Sequence, residues 1–143
     1  MPPDPRATDE AIERRVAFYR SLPVVYSAAD VMALAPDAPG LVARGLTDAL
    51  LAAVAARAPG LRALYTDGGA RVTDAGLAAL ARFTALEELD LEYAALTDAA
   101  VVPIAAVPTL RWVDLGGCAG VTRAGLDQLR RARPDLEVEP AGL

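Results

Sequence analysis

The chain has no histidine, lysine or asparagine, one glutamine, one cysteine and one tryptophan in 143 residues. Each absence removes a class of chemistry. Without histidine there is no Ser-His-Asp triad, no Cys-His dyad and no imidazole-ligated metal. A single cysteine excludes an internal disulfide framework and a cysteine-clustered zinc site. Without lysine, all 14 positive charges are arginine; they face 19 acidic residues, for a net charge of −5 and a pI near 4.7. That balance argues against a surface built to neutralise phosphates, so no nucleic-acid partner is expected. No apolar run approaches the roughly 20 residues of a transmembrane helix. The start, Met1-Pro2-Pro3-Asp4-Pro5-Arg6, lacks the basic and then apolar profile of a signal peptide. The expectation is a cytoplasmic protein with no membrane partner and no cofactor.

Alanine fills 32 positions. With arginine as the sole basic residue, this bias points to a GC-rich, bacterial genome. Hydrophobic residues make up 54% and charged residues 23%, which excludes a disordered chain. A chain of this length suits one domain with a sizeable core.

A repeat organises most of it. Thr-Asp pairs stand at Thr47-Asp48, Thr73-Asp74 and Thr97-Asp98, with Thr122-Arg123 in the fourth place, at spacings of 26, 24 and 25 residues. Four residues beyond each threonine lies Leu51, Leu77, Val101 or Leu126, and three further on Val54, Leu80, Ile104 or Leu129. The i, i+3 pairs share a helical face, so each unit predicts a short amphipathic helix. The threonine suits its N-cap, and an acid in the first turn suits its dipole.

The other half of each unit reads as a strand. Leu61–Thr66, Leu86–Leu91 and Leu110–Leu115 superimpose without a gap on an L-x-x-L-x-L pattern, with Thr66 and Val113 standing at two of its leucine positions, and end in a period-2 alternation that buries one side. A strand, a loop and a helix every 24–26 residues form one coil that must stack on its neighbours to bury a core.

Leu110 to Leu129, containing Leu-Gly-Gly-Cys-Ala-Gly-Val-Thr-Arg-Ala-Gly-Leu, resembles the cysteine-containing leucine-rich repeat best known from the substrate-receptor half of F-box proteins. Residues 61–129 follow its pattern through three units; Thr47 opens a unit matching only in its helix, and Leu136-Glu137-Val138 looks like a truncated final strand. The resemblance implies an α/β fold: a short solenoid of about four units over residues 41–143, with a curved parallel sheet on the concave side and helices on the convex side. It implies protein binding without naming a partner. The cysteine position departs from the pattern, reading Gly69 or Ala70 in one unit and Ala94 in the next.

Residues 1–40 do not repeat. Pro2, Pro3 and Pro5 suggest a loose start, Thr8 to Arg20 a helix with Ile12, Val16 and Tyr19 along one side, and Ser27 to Leu34 a second helix capped by Ser27. The expected role is a helical cap over the end of the core, with a separate docking element as the alternative. No convincing F-box-like segment is present.

Cys118 falls where the repeat subtype places an inward-facing cysteine, and it has no base to activate it, so a buried structural role is expected. Asp48, Asp74 and Asp98 recur a full coil apart and read as first-turn helix stabilisers, not as a metal array. Asp67-Gly68-Gly69 reads as a turn.

Alternation places Ala63, Tyr65 and Asp67 of the first strand on the inner surface. Glu88, Asp90 and Glu92 follow from the second, Trp112, Asp114 and Gly116 from the third, and Glu137 or Glu139 from the last. Arg57, Arg82, Arg130, Arg131 and Arg133 fall late in the helices, on the other side. The expected partner-binding set is therefore Tyr65, Asp67, Glu88, Asp90, Glu92, Trp112 and Asp114, an acidic face with two aromatic side chains that suits a basic protein surface. Its bearer would be a non-catalytic adaptor or inhibitor, monomeric on its own. Two alternatives stand beside this. One is a self-assembling repeat module, stacking through the poorly covered Pro140-Ala141-Gly142-Leu143 end. The other is an enzyme using Asp90 and Asp114, about 5 Å apart on adjacent strands, as acid and base.

Overall fold

The computed structural model describes residues 5–140, and the side chains from Asp9 onward. Its elements run α1 (Pro5–Ser21), β1 (Val24–Val25), α2 (Ala28–Met32), β2 (Gly40–Thr47), α3 (Asp48–Arg57) and β3 (Ala63–Arg71). A 3₁₀ segment (Asp74–Arg82), β4 (Glu88–Asp90), a 3₁₀ turn (Asp98–Ala100), α4 (Val101–Ala105), β5 (Trp112–Asp114), α5 (Arg123–Ala132) and β6 (Glu137–Glu139) follow.

All six strands belong to one open sheet in chain order, each neighbour parallel. Parallel neighbours cannot be joined by a hairpin, so each connection must cross over. The helical segments supply those crossovers and pack side by side: α2 on α3, α3 on the 3₁₀ segment, that segment on α4, and α4 on α5. The class is α/β. The core lies between this helical layer and the sheet. Its spine is Leu41, Leu64, Leu89, Val113 and Val138, five residues in register across β2 to β6 and all buried. No helix among the described residues is long and apolar enough to cross a membrane.

Two polar devices join units to their neighbours. The Asp48 carboxylate accepts from Thr73 N and Oγ1 at 2.8 and 2.6 Å, Asp74 from Thr97 at 3.0 and 2.6 Å, and Asp98 from Thr122 at 2.7 and 2.6 Å. The repeated aspartates are thus inter-unit bridges as well as first-turn residues; hydrogen bonding from Thr122 pulls the Asp98 carboxyl below its ordinary value. Room for the bridges comes from Gly76 and Gly125, where a Cβ would stand 2.0 Å from the Asp48 carboxylate and 2.2 Å from that of Asp98. The second device is arginine. Arg57 donates to Leu34 O, and Arg133 to Ala105, Val107 and Leu110 O, each reaching back to carbonyls of the preceding unit.

A left-handed residue follows the core strand residues every 24 positions, at Gly45, Gly69, Tyr93 and Gly117. Three are glycine, as a φ of 68° to 91° favours. Tyr93 takes the same turn at φ 62° without that freedom.

Several expectations need correcting. Thr47, Thr97 and Thr122 cap their helices as anticipated, but Thr73 makes no side-chain cap bond. The second unit's helix is 3₁₀ throughout, and the third begins as a 3₁₀ turn before α4. Pro103, which lacks an N–H, is tolerated because it falls in the first turn of α4. β2 carries no L-x-x-L-x-L signature, since alanine stands at Ala38 and Ala43 in place of leucines, and β1 has only two residues. In the N-terminal segment, Val31 of α2 and Leu34 just after it belong to the core, and Ser27 and Asp30 form a capping box. The described side chains of α1 do not belong to that core; α1 lies on the opposite face of the sheet. Pro2, Pro3 and Ala141 to Leu143 fall outside the described residues.

Candidate functional site: the open face of the sheet

The face turned away from the helical layer is read in rows across the strands. The first row is Gly40, Ala63, Glu88, Trp112 and Glu137; the next includes Val42 with Tyr65, and Asp90 with Asp114 and Glu139; beyond them Arg44 pairs with Asp67. The alternation expected from sequence therefore holds across β3 to β6.

Exposure does not follow it. α1 crosses the first row. Arg15 lies 5.5 Å from the centroid of the Trp112 ring and 3.5 Å from the Glu88 carboxylate. The Tyr19 and Tyr65 rings are 5.6 Å apart, and those of Tyr65 and Trp112 6.2 Å, near edge-on. Leu22, Val42, Ala63 and Tyr65 make a small buried cluster with Phe18, Tyr19 and Trp112 against it. Tyr65, expected to be exposed, is consequently buried; its hydroxyl donates to the Glu88 carboxylate, and burial raises its pKa. Trp112 is half-buried for the same reason. Nor is the face free of arginine. Arg44 pairs with Asp67 at 2.8 Å and contacts Tyr26. Arg44 escaped notice because its strand was not recognised, and Arg15 because its helix was assigned to the end of the core.

The rows beyond α1 are acidic. Asp90, Glu92 and Asp114 have carboxylate oxygens within 4.8 Å of one another, with Glu139 in register beside Asp114. Local structure explains the crowding. The β3–β4 ladder ends at Leu64 and Leu89, and Asp90, buried, turns its carboxylate to accept from Thr66 N at 3.3 Å and Glu92 N at 3.0 Å. Asp114 accepts in the same way from Gly116 N at 2.8 Å. Asp90 is thus a structural acceptor as much as a surface charge. Burial raises its pKa, against the lowering effect of those N–H groups.

Glu92 is pushed up to about 7, first by its hydrogen bond with Asp114, then by burial and by the Asp90 charge. A carboxyl shared across two acids at this distance holds either a proton or a cation. Glu92 is the group whose proton is favoured, through its hydrogen bond with Asp114, and among the described residues Asp90, Glu92 and Asp114 are the ones able to offer oxygens to a hard cation. The sign of the pH effect follows. The folded chain binds the Glu92 proton more tightly than the unfolded chain, so this stability is complete below the unfolded value of 4.5 and disappears as pH rises through about 7. Solvent screening limits it to about 1 kcal/mol or less, a melting shift of about 3 °C between pH 5 and pH 8. Glu92→Gln, which keeps a donor to Asp114 and removes the titration, is expected to flatten that part of the melting profile. An unchanged slope in the variant would refute the assignment.

Tyr93 stands exposed at the rim of this cluster, its ring so close to Gly117 that a Cβ there would meet it at 2.3 Å. The sequence carries a signal for it: a tyrosine where the units before and after have glycine. Cys118 behaves as expected. It is buried, its thiol donates to Leu91 O at 3.2 Å, and burial raises its pKa.

No known family model matches the chain, and no curated protein matches it closely enough to serve as a relative.

Proposed function

We propose that the chain is a leucine-rich-repeat solenoid acting as a non-catalytic cytoplasmic adaptor or inhibitor, which receives a basic protein surface on the acidic part of its open sheet. The observation that carries this is the row Asp90, Asp114 and Glu139 with Glu92 beside it, together with Glu137, which continues the first row on β6 past Trp112. A carboxylate held half-protonated near neutral pH by its neighbours marks a surface where an incoming cation gains and an incoming anion loses. Within the expected set, Glu92 and Asp114 are the contact residues favoured by position, and Glu137 joins them. Asp90 supports the backbone, while Tyr65 and Trp112 lie under α1.

The test uses a bait carrying Glu92→Arg and Glu137→Arg, side chains that anchor no backbone group, against wild type in host lysate at low and high salt. A basic partner held by wild type, weakened by salt and reduced at least about tenfold on the variant is the expected outcome. Equal recovery on both baits would place binding elsewhere.

A further inference from the structure

We infer that α1 is a removable occupant of the open face, a strap that covers Glu88, Trp112 and Tyr65 until another helix takes its place. The geometry of the crossing is the first argument. A helix advances about 5.4 Å per turn and parallel strands lie about 4.8 Å apart, so a helix laid across the strands sets successive turns on successive strands. α1 and the residue that continues its last turn do so: Leu22 packs with Val42 of β2, Tyr19 on Tyr65 of β3, and Arg15 on Glu88 of β4 and Trp112 of β5. The groove is matched to a helix presenting a cation, an aromatic ring four residues on and an aliphatic side chain three beyond that.

Separability is the second argument. The main core runs through the sheet and the helical layer without any of the described side chains of α1. What α1 holds is the smaller cluster on the other face. Among the described residues its grip is made by few side chains, and the Arg15–Glu88 pair is partly open to water, at 51% and 23% side-chain exposure. Ile12 and Val16 share the stripe of Tyr19 and remain 56% and 41% exposed, so the sheet leaves part of the apolar edge of α1 unburied. The joint is short and well placed. α1 ends at Ser21, and from Pro23, whose carbonyl accepts from Val42 N at 2.9 Å, the chain is tied to the sheet.

The idea that a partner competes with α1 rests on the acidic-face reading; the release of α1 itself does not. The experiment therefore uses a defined probe, a synthetic peptide of residues 5–22, and the full chain with Arg15→Glu and Tyr19→Ala. Removing the cation–ring and ring–ring contacts is expected to speed amide exchange in α1 about tenfold. The amides of β2 to β5 should keep their protection, and Trp112, the only tryptophan, should shift its emission to the red. The added peptide should restore the Trp112 emission of the variant and bind wild type at least about tenfold more weakly, because there the site is filled. A peptide carrying the same two substitutions should not bind. Arg15→Glu alone, at a largely exposed side chain, gives a milder opening if the double variant is unstable. Loss of sheet protection together with α1 would make α1 an integral layer and overturn the proposal. So would peptide binding equally to wild type and variant, or to neither. Glu92→Arg with Glu137→Arg should leave peptide binding intact, which separates failure of the strap from failure of the acidic-face reading.

Discussion

Arg133→Ala is expected to destabilise the protein by about 3 kcal/mol, more than most surface substitutions, because Ala105 O and Leu110 O lose their donor together and Val107 O is left with Leu110 N alone. Nη1 of Arg133 lies 2.7 Å from Val107 O and 3.3 Å from Ala105 O, and Nη2 lies 2.7 Å from Leu110 O. These carbonyls belong to the end of α4 and the loop entering β5, where no further helical turn supplies an N–H donor. The side chain is only 13% exposed, so water replaces it poorly. Arg133→Lys keeps the charge and loses the planar fork that spans several acceptors, and it should recover less than half of the deficit. Urea unfolding of the three proteins measures this. A cost below about 0.5 kcal/mol for Arg133→Ala would show that the carbonyls find other donors.

Gly120→Ala should be comparably damaging, at about 3 kcal/mol, for a reason of space rather than hydrogen bonding. A Cβ at Gly120 would stand 2.4 Å from the Leu96 carbonyl oxygen, at the place where Thr97 and Gly120 form a parallel bridge between units. The obstacle is backbone, which cannot swing aside as a side chain can. Gly60→Ala is the matched control: nothing lies within 4 Å of its added Cβ, and its effect should stay within about 0.5 kcal/mol. If the two substitutions have similar melting temperatures, the units are more loosely docked than the geometry requires.

How far sequence reading reached follows from what each feature depends on. The strands at Leu86–Leu91 and Leu110–Leu115 were legible because leucine repeats at fixed spacing wherever every unit buries the same positions. Register and alternation followed, and with them the acidic rows. β2 was hidden because Ala38 and Ala43 meet the core with small side chains, which suffices near the edge of the sheet. The 3₁₀ character of Asp74–Arg82 has no local signature, since Leu77 and Leu80 satisfy either helix. The burial of Tyr65 and Trp112 was out of reach for a different reason. It depends on where α1 lands, and the amphipathic pattern of Ile12, Val16 and Tyr19 states that a face will be buried without stating against what. Asp90 looked like its neighbours in composition; only the end of the β3–β4 ladder makes it an acceptor for Thr66 N and Glu92 N.

The aspartate–threonine bridges have a direction. Each carboxylate serves the threonine of the unit after it, never the one before. A unit is therefore written half in its own sequence and half in its successor's, and a block such as Thr97 to Val121 could be copied in tandem with every donor still meeting an acceptor. Arg123 is the punctuation of this grammar. It stands where an aspartate would reach forward, and at that step the series of bridges stops.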